Sequence, residues 1–321
     1  MDFYAVENEI DIKIIYNLYM QSIRLGECLF ESMDISEFQD KLFIKRENMD
    51  SIHIMEKDGK AFASGCIDYK TGKAFITLIV VEQKHRRKGI GKSILKLMEE
   101  KLISVGGFQS IELSFFNPIM FSWRIPGENA NHPNIPGVDM ESGAYLFFKS
   151  CGYEDFAIQN CYYLSLSDYE HRIIVEEKKE NLRKNGISFE IYDRKIHSNM
   201  KELIEGFKNP MWLKDILLEK SVDEGGRPIL VPVYMGAVCG FTGPLDVESN
   251  GRGYFAGIGI DAAYRGKGIA TVLFCTLCKE LKEMGASYMT LFTGENNPAR
   301  NIYESAGFVV VRTFADMRKK L

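Results

Sequence analysis

HRRKGIGKSIL, His85 to Leu95, decides how the chain is read. It is basic, then glycine-rich, then apolar. The nucleotide-phosphate pattern G-x-x-x-x-G-K-[ST] needs glycine five places before Gly91, where Arg86 stands. The dinucleotide pattern G-x-G-x-x-G fails at Ile94. The stretch returns as YRGKGIATVL, Tyr264 to Leu273. Arg86 matches Arg265, Gly89 matches Gly268 and Gly91 matches Ala270, each pair 179 residues apart. AFITLIVV (Ala74–Val81) matches GYFAGIGI (Gly253–Ile260) at the same spacing. Downstream, AYLFFKSCGY (Ala144–Tyr153) resembles ARNIYESAGF (Ala299–Phe308) at a spacing of 155. The first copy therefore carries 24 extra residues within Asn117–Gly143, a segment with four of the nine prolines, which reads as a loop.

Working outward, each copy shows strands, the basic glycine turn, a helix with one apolar face, a strand and a closing helix. The expected architecture is α/β, with two tandem domains, each a twisted mixed sheet flanked by helices. The expected boundaries are 1–167 with the insertion at 117–143, a charged helical linker at 168–186, and 187–321. A glycine turn entering a helix presents unpaired N–H groups and partial positive charge to an anion, and suits a pyrophosphate.

Composition narrows the function. The chain has 321 residues, 45% apolar and 26% charged, with a formal net charge of −4. This is globular and argues against nucleic-acid binding through bulk positive charge. No stretch has the length of a membrane span, and no metal set is completed by the Cys275/Cys278 pair, which reads as helix packing. Seven cysteines without a framework fit a reducing cytoplasm. The oligomeric state is left open.

R-x-x-G-x-G/A after a strand, with N-x-x-A-x-x-[LI]-Y-x-x-x-G-F at Asn296–Phe308, resembles the GNAT superfamily of N-acetyltransferases. The resemblance covers nearly the whole chain, and the second half is closer. It implies an acetyl-CoA cosubstrate, an amine acceptor and no metal; an aromatic wall at Phe207 and Trp212 would favour a small-molecule amine. In the second half it implies that Ile258 and Ile260 face the pantetheine arm. Arg265, Gly266, Lys267, Gly268, Ile269 and Ala270 would wrap the pyrophosphate, Asn296 would bond pantetheine amides, and Tyr303 would be the general acid. Ile79, Val81, Arg86, Arg87, Lys88, Gly89, Ile90, Gly91 and Lys92 take the same places in the first half, where Phe148 replaces the tyrosine. Chemistry is therefore expected mainly in the second half. The alternatives are a non-catalytic coenzyme A sensor or scaffold, or two active halves on different acceptors, the first using Tyr145 or Tyr162 as acid. Asp215, Glu219 and Asp246 are candidate bases, and Phe207, Met211 and Trp212 candidate acceptor contacts. The insertion, with Phe121, Trp123 and Arg124, reads equally as a lid or as cover for the sheet.

Overall fold

The computed structural model describes residues 2–321 except Glu7, His171 and Ser221. It divides into two units. One comprises the chain up to Asn160 together with Arg312–Leu321; the other is Cys161–Val311.

The first unit runs β1 (Phe3–Ala5), α1 (Glu9–Arg24), α2 (Ile35–Leu42), β2 (Met49–Glu56), β3 (Ala61–Asp68), β4 (Lys73–Val81), α3 (Ile90–Val105) and β5 (Ser110–Leu113). Short strands β6 (Trp123–Arg124), β7 (Asn131–His132) and β8 (Val138–Asp139), helix α4 (Gly143–Ser150) and the start of β9 (Glu154–Ser165) follow. Asn8 and Asp34 cap α1 and α2 by accepting from the main-chain N–H three residues on, which fixes where both helices begin.

Strands β1 to β4 are linked antiparallel, and β4 to β5 in parallel. Along β3, Ala61, Ala63 and Ile67 face α3, while Phe62 and Cys66 face α1 and α2. This is the two-residue period of a strand covered on both faces. On β4 the period slips. Ser64 pairs with Leu78 and Gly65 with Ile76, so Thr77 is passed over as a bulge. Pairing with β5 is confined to Ala74↔Ile111 and Phe75↔Glu112, before the bulge. Beyond it the two parallel strands part. Gly65 opposite the bulge must be glycine, because a Cβ there would lie 2.9 Å from the Phe75 carbonyl oxygen.

The second unit holds the end of β9, α5 (Ile173–Lys184), β10 (Ile187–Ile191), α6 (Met200–Gly206), α7 (Pro210–Trp212), β11 (Leu230–Tyr234), β12 (Ala237–Val238) and β13 (Gly240–Thr242). It continues with β14 (Arg252–Gly253), β15 (Ile258–Ile260), α8 (Ile269–Glu283), β16 (Tyr288–Gly294), α9 (Arg300–Ser305) and the start of β17 (Val309–Lys320). Cys275 and Cys278 on α8 are buried in its core. The stretch Gly253–Ile260, which the repeat sets beside β4, is not one continuous strand: β14 pairs in parallel with β16, and β15 pairs antiparallel with β13.

Three features differ from the expected boundaries: the first unit's leading part ends at Asn160 rather than at residue 167, and two further segments change place. The linker segment forms α5 within the second unit, and Arg312–Leu321 belong to the first. There β17 pairs with β5, Met317 opposite Leu113, and with β8, Ala315 opposite Val138. Phe314, Ala315 and Met317 are fully buried. Asp316, also buried, accepts from the Phe115 N–H at 3.2 Å and from Gln159 Nε2 at 2.9 Å.

Burial pushes the Asp316 carboxyl up to about 6. Its folded value thus exceeds the unfolded one of about 3.9, so its stabilisation is full below about pH 4 and lost as pH rises through 6, roughly 3 kcal/mol in all. Asp316→Asn is expected to flatten the melting temperature between pH 4 and 7. An unchanged pH profile by calorimetry would contradict this assignment.

Candidate functional site

The two glycine loops share one backbone. A single 3-10 turn, Gln83–His85 or Ala262–Tyr264, leads to Arg86 (φ −68°, ψ 165°) or Arg265 (φ −68°, ψ 163°). Left-handed residues follow, Arg87 (φ 59°) and Gly89 (φ 84°) in the first, Gly266 (φ 75°) and Gly268 (φ 81°) in the second. Helices α3 and α8 then start at Ile90 and Ile269. Each arginine fastens its loop to the preceding strand, Arg86 Nε donating to the Val81 carbonyl at 2.8 Å and Arg265 Nε to Ile260 at 3.0 Å. Those Nε groups are held by main chain. Ile90 and Ile269 are buried under their helices, while Arg87, Lys88, Gly89 and Lys92 are exposed, as are Gly266 and Lys267. Gly91 is small because Phe147 stands 3.3 Å from where its Cβ would lie; the second loop has half-buried Ala270 there.

Past the loops the copies diverge. In the first unit the gap beyond the Thr77 bulge is open. A cavity of about 720 Å³ is bordered by Ile76–Val81 on one side and Leu113–Phe115 on the other, and reaches Gly89, Gly91 and Lys92. Asn117 spans the gap, its Nδ2 donating to Thr77 Oγ1 at 3.2 Å and its Oδ1 accepting from the Ile119 N–H at 2.9 Å. Phe148, on α4, lines the cavity and is 3% exposed. The insertion contributes to the cavity wall and to the packing over the sheet. Ile119–Phe121 and Val138–Asp139 wall the cavity, while Trp123 is buried edge-on against Phe314, ring centroids 5.0 Å apart, with its indole N–H on the Asn134 carbonyl. Arg124 is exposed, and His132 is buried near the Trp123 ring.

In the second unit aromatic side chains gather at the corresponding strand break. Residues Tyr254–Gly257 lie in the strand break. The Trp212 indole N–H donates to the Ala256 carbonyl at 3.1 Å, and a Cβ on Gly257 would lie 2.4 Å from that indole nitrogen. Phe207, Trp212 and Phe241 pack edge to face at 5.0–5.8 Å; Met211 is exposed. Phe255 packs on Phe274 and Tyr303. Tyr303 is 6% exposed and ringed by Tyr162, Phe255, Phe274 and Phe308. Burial pushes its phenol up to about 12. The Lys178 side chain of α5 stands 3.9 Å from where a Gly268 Cβ would lie. Ile258 is half-buried and Ile260 buried; Asn296 is exposed, 3.4 Å from the Glu295 carboxylate. A cavity of about 360 Å³ in this unit is lined instead by residues such as Leu164, Tyr169, Cys275 and Gly307.

Two of the three candidate bases are engaged by Arg227. Glu219 accepts from Arg227 Nε at 2.9 Å and Nη2 at 2.6 Å, and Asp246 lies 3.5 Å from Arg227 Nη1; Asp215 is half-buried near Tyr254. His85 pairs with Glu82 at 2.8 Å beside the loop. Tyr145 donates to Asp155 at 2.7 Å, and Tyr162 to Glu304 at 3.0 Å. Asn117 and Glu27, both polar residues of the cavity, are among those that escaped the sequence reading. Asn117 lies 179 residues before Asn296, so the repeat spacing itself marks it. Glu27, between α1 and α2, had no motif to mark it.

The model of the acetyltransferase (GNAT) family matches the chain twice, over residues 13–119 and 199–308. The chain belongs to the GNAT family, as a tandem protein. No curated protein matches it. Among solved structures it is similar to a GCN5-related glucosamine N-acetyltransferase region of a fungal multi-domain GH3 β-N-acetylglucosaminidase (TM-score 0.69, 16% identity), covering 99% of this chain and 38% of that one. It is also similar to a GCN5-related N-acetyltransferase from Sphaerobacter thermophilus (TM-score 0.64, 16% identity, 99% and 95% covered). A tandem GNAT protein from the clavulanic acid biosynthesis pathway gives a TM-score of 0.57 at 12% identity, with 99% and 98% covered. These likenesses establish the mixed-sheet GNAT fold. Among the described residues no helix is long and apolar enough to cross a membrane.

Proposed function

We propose that the protein is an acyl-coenzyme A-dependent N-acyltransferase, with acetyl-CoA as donor and a small-molecule amine as acceptor, and that the chemistry lies in the first unit. The observation that carries this is the open gap beyond the Thr77 bulge, leading from the exposed glycine loop to Asn117. Exposed Arg87, Lys88 and Lys92 beside the α3 N-terminus suit a pyrophosphate. The parted edge of β4 and the Asn117 amide suit an amide-bearing arm. The residues present therefore fit the cosubstrate. The reaction needs a neutral amine aligned with a thioester carbonyl, and holding the two in place recovers about 7–11 kcal/mol of the barrier. Phe148 supplies no proton, but a thiolate with a reference pKa of about 8.5 leaves readily without one.

A second reading keeps the chemistry in the second unit with Tyr303 as acid. Its support is that Tyr303 stands inside the motif Asn296–Phe308 and keeps a phenol where the first copy has Phe148. Tyr303→Phe separates the two, read by thiol release from acetyl-CoA against a panel of amines. The first-unit reading expects turnover within about twofold of the native protein. The second expects at least a tenfold fall, since a positioned acid contributes roughly 10²–10⁴-fold. Coenzyme A binding without thiol release for any amine would favour a sensor.

A further inference from the structure

The cavity wall carries a chemical criterion for the acceptor. Among the described residues two carboxylates line it, Glu27 and Asp139. Asp139 is neutralised by a two-point pair with Arg312, Nε to Oδ1 and Nη2 to Oδ2, both 2.8 Å. Glu27 is only half committed. Its Oε2 accepts from Arg86 Nη2 at 2.5 Å, and Arg86 is itself tied through Nε to the Val81 carbonyl. Its Oε1 is buried and has no hydrogen-bond partner among the described residues. The Glu27 side chain is 11% exposed. A carboxylate oxygen shielded from water and left without a donor is unfavourable, so a donor delivered from the cavity that Glu27 lines would be stabilised there. The remaining charged lining residues, Arg87 and Lys92, belong to the glycine loop. The wall next to Glu27 along the chain is apolar: Leu29 and Phe30 line the same cavity, and Phe30 meets Phe121 with ring centroids 5.2 Å apart.

We infer that Glu27 Oε1 receives the N–H of the acceptor's amino group, and that the acceptor is a small primary amine with an apolar body. Arg86 then serves both ends of the cavity, holding the glycine loop to β4 and holding the Glu27 carboxylate in place. The inference rests on the first-unit reading and specifies its acceptor.

The test is calorimetry on the full chain saturated with coenzyme A. 2-Phenylethylamine is expected to bind at least about tenfold more tightly than 2-phenylethanol, which matches it in shape and lacks the charge. Glu27→Gln should cut that preference to less than about threefold while coenzyme A affinity changes by less than about threefold. The native comparison of amine with alcohol decides the matter even if the variant folds poorly. Equal binding of alcohol and amine, a preference that survives Glu27→Gln, or a lysine-containing peptide binding more tightly than the small amine would each overturn the inference. Coenzyme A binding without amine preference overturns the inference alone. Failure of the native protein to bind coenzyme A overturns the first-unit reading, and this inference with it.

Discussion

Gly89→Asp is expected to weaken coenzyme A binding by more than about 100-fold, about 2.7 kcal/mol, and to abolish thiol release. Gly89 has φ 84°, and a Cβ there would meet nothing within 4 Å. Aspartate tolerates that left-handed conformation better than most residues, so the loop survives while a negative charge enters the place argued for phosphates. Gly268→Asp, at φ 81° in the second loop, should leave binding within about threefold. The contrast follows from the first-unit reading: the first loop opens onto the cavity of about 720 Å³, whereas aromatic rings gather at the break that precedes the second. Titration of both variants beside the native protein decides. The reverse pattern would move the site to the second unit.

Deleting residues 312–321 is expected to unfold the first unit outright. The deletion removes three fully buried side chains, Phe314, Ala315 and Met317, and the ladder from Ser110 to Leu113. It also strips Asp139 of Arg312 and Glu99 of Lys319, both pairs at 2.8 Å. Losing one buried Phe or Met alone costs about 2–5 kcal/mol, and the sum reaches the whole stability of a typical domain, about 5–15 kcal/mol. Hydrogen exchange should show protection lost in β3, β4 and α3. Retained protection there would refute the assignment of this strand to the first unit.

What was legible in the sequence was local or repeated. The 179-residue spacing exposed both loops, because Arg86 and Gly89 must recur where the same turn is made. The helices on either side carried their apolar period openly. What stayed hidden depends on residues distant in the chain. The bulge at Thr77 is a matter of register against Ser64 and Gly65, which no single segment states. The break at Tyr254–Gly257 is tied to Trp212, some forty residues earlier, and the motif that matched the family better, around Tyr303, packs against that break through Phe255. Glu27 has significance only because Arg86 takes one of its oxygens. The membership of Arg312–Leu321 in the first unit contradicts chain order, and chain order is what a repeat reading assumes.

That last feature bears on synthesis. A ribosome makes Asn160 some 150 residues before it reaches Arg312. At about 5–20 residues per second the interval is roughly 8–30 s. Throughout it β5 has an open flank where Met317 and Lys319 will later pair with Leu113 and Ile111. Such a flank can recruit the wrong strand, whether from the same nascent chain or from a neighbour on the same message. Elongation speed and chaperone supply should therefore govern the yield of native protein more strongly than they would for two repeats that each close on themselves.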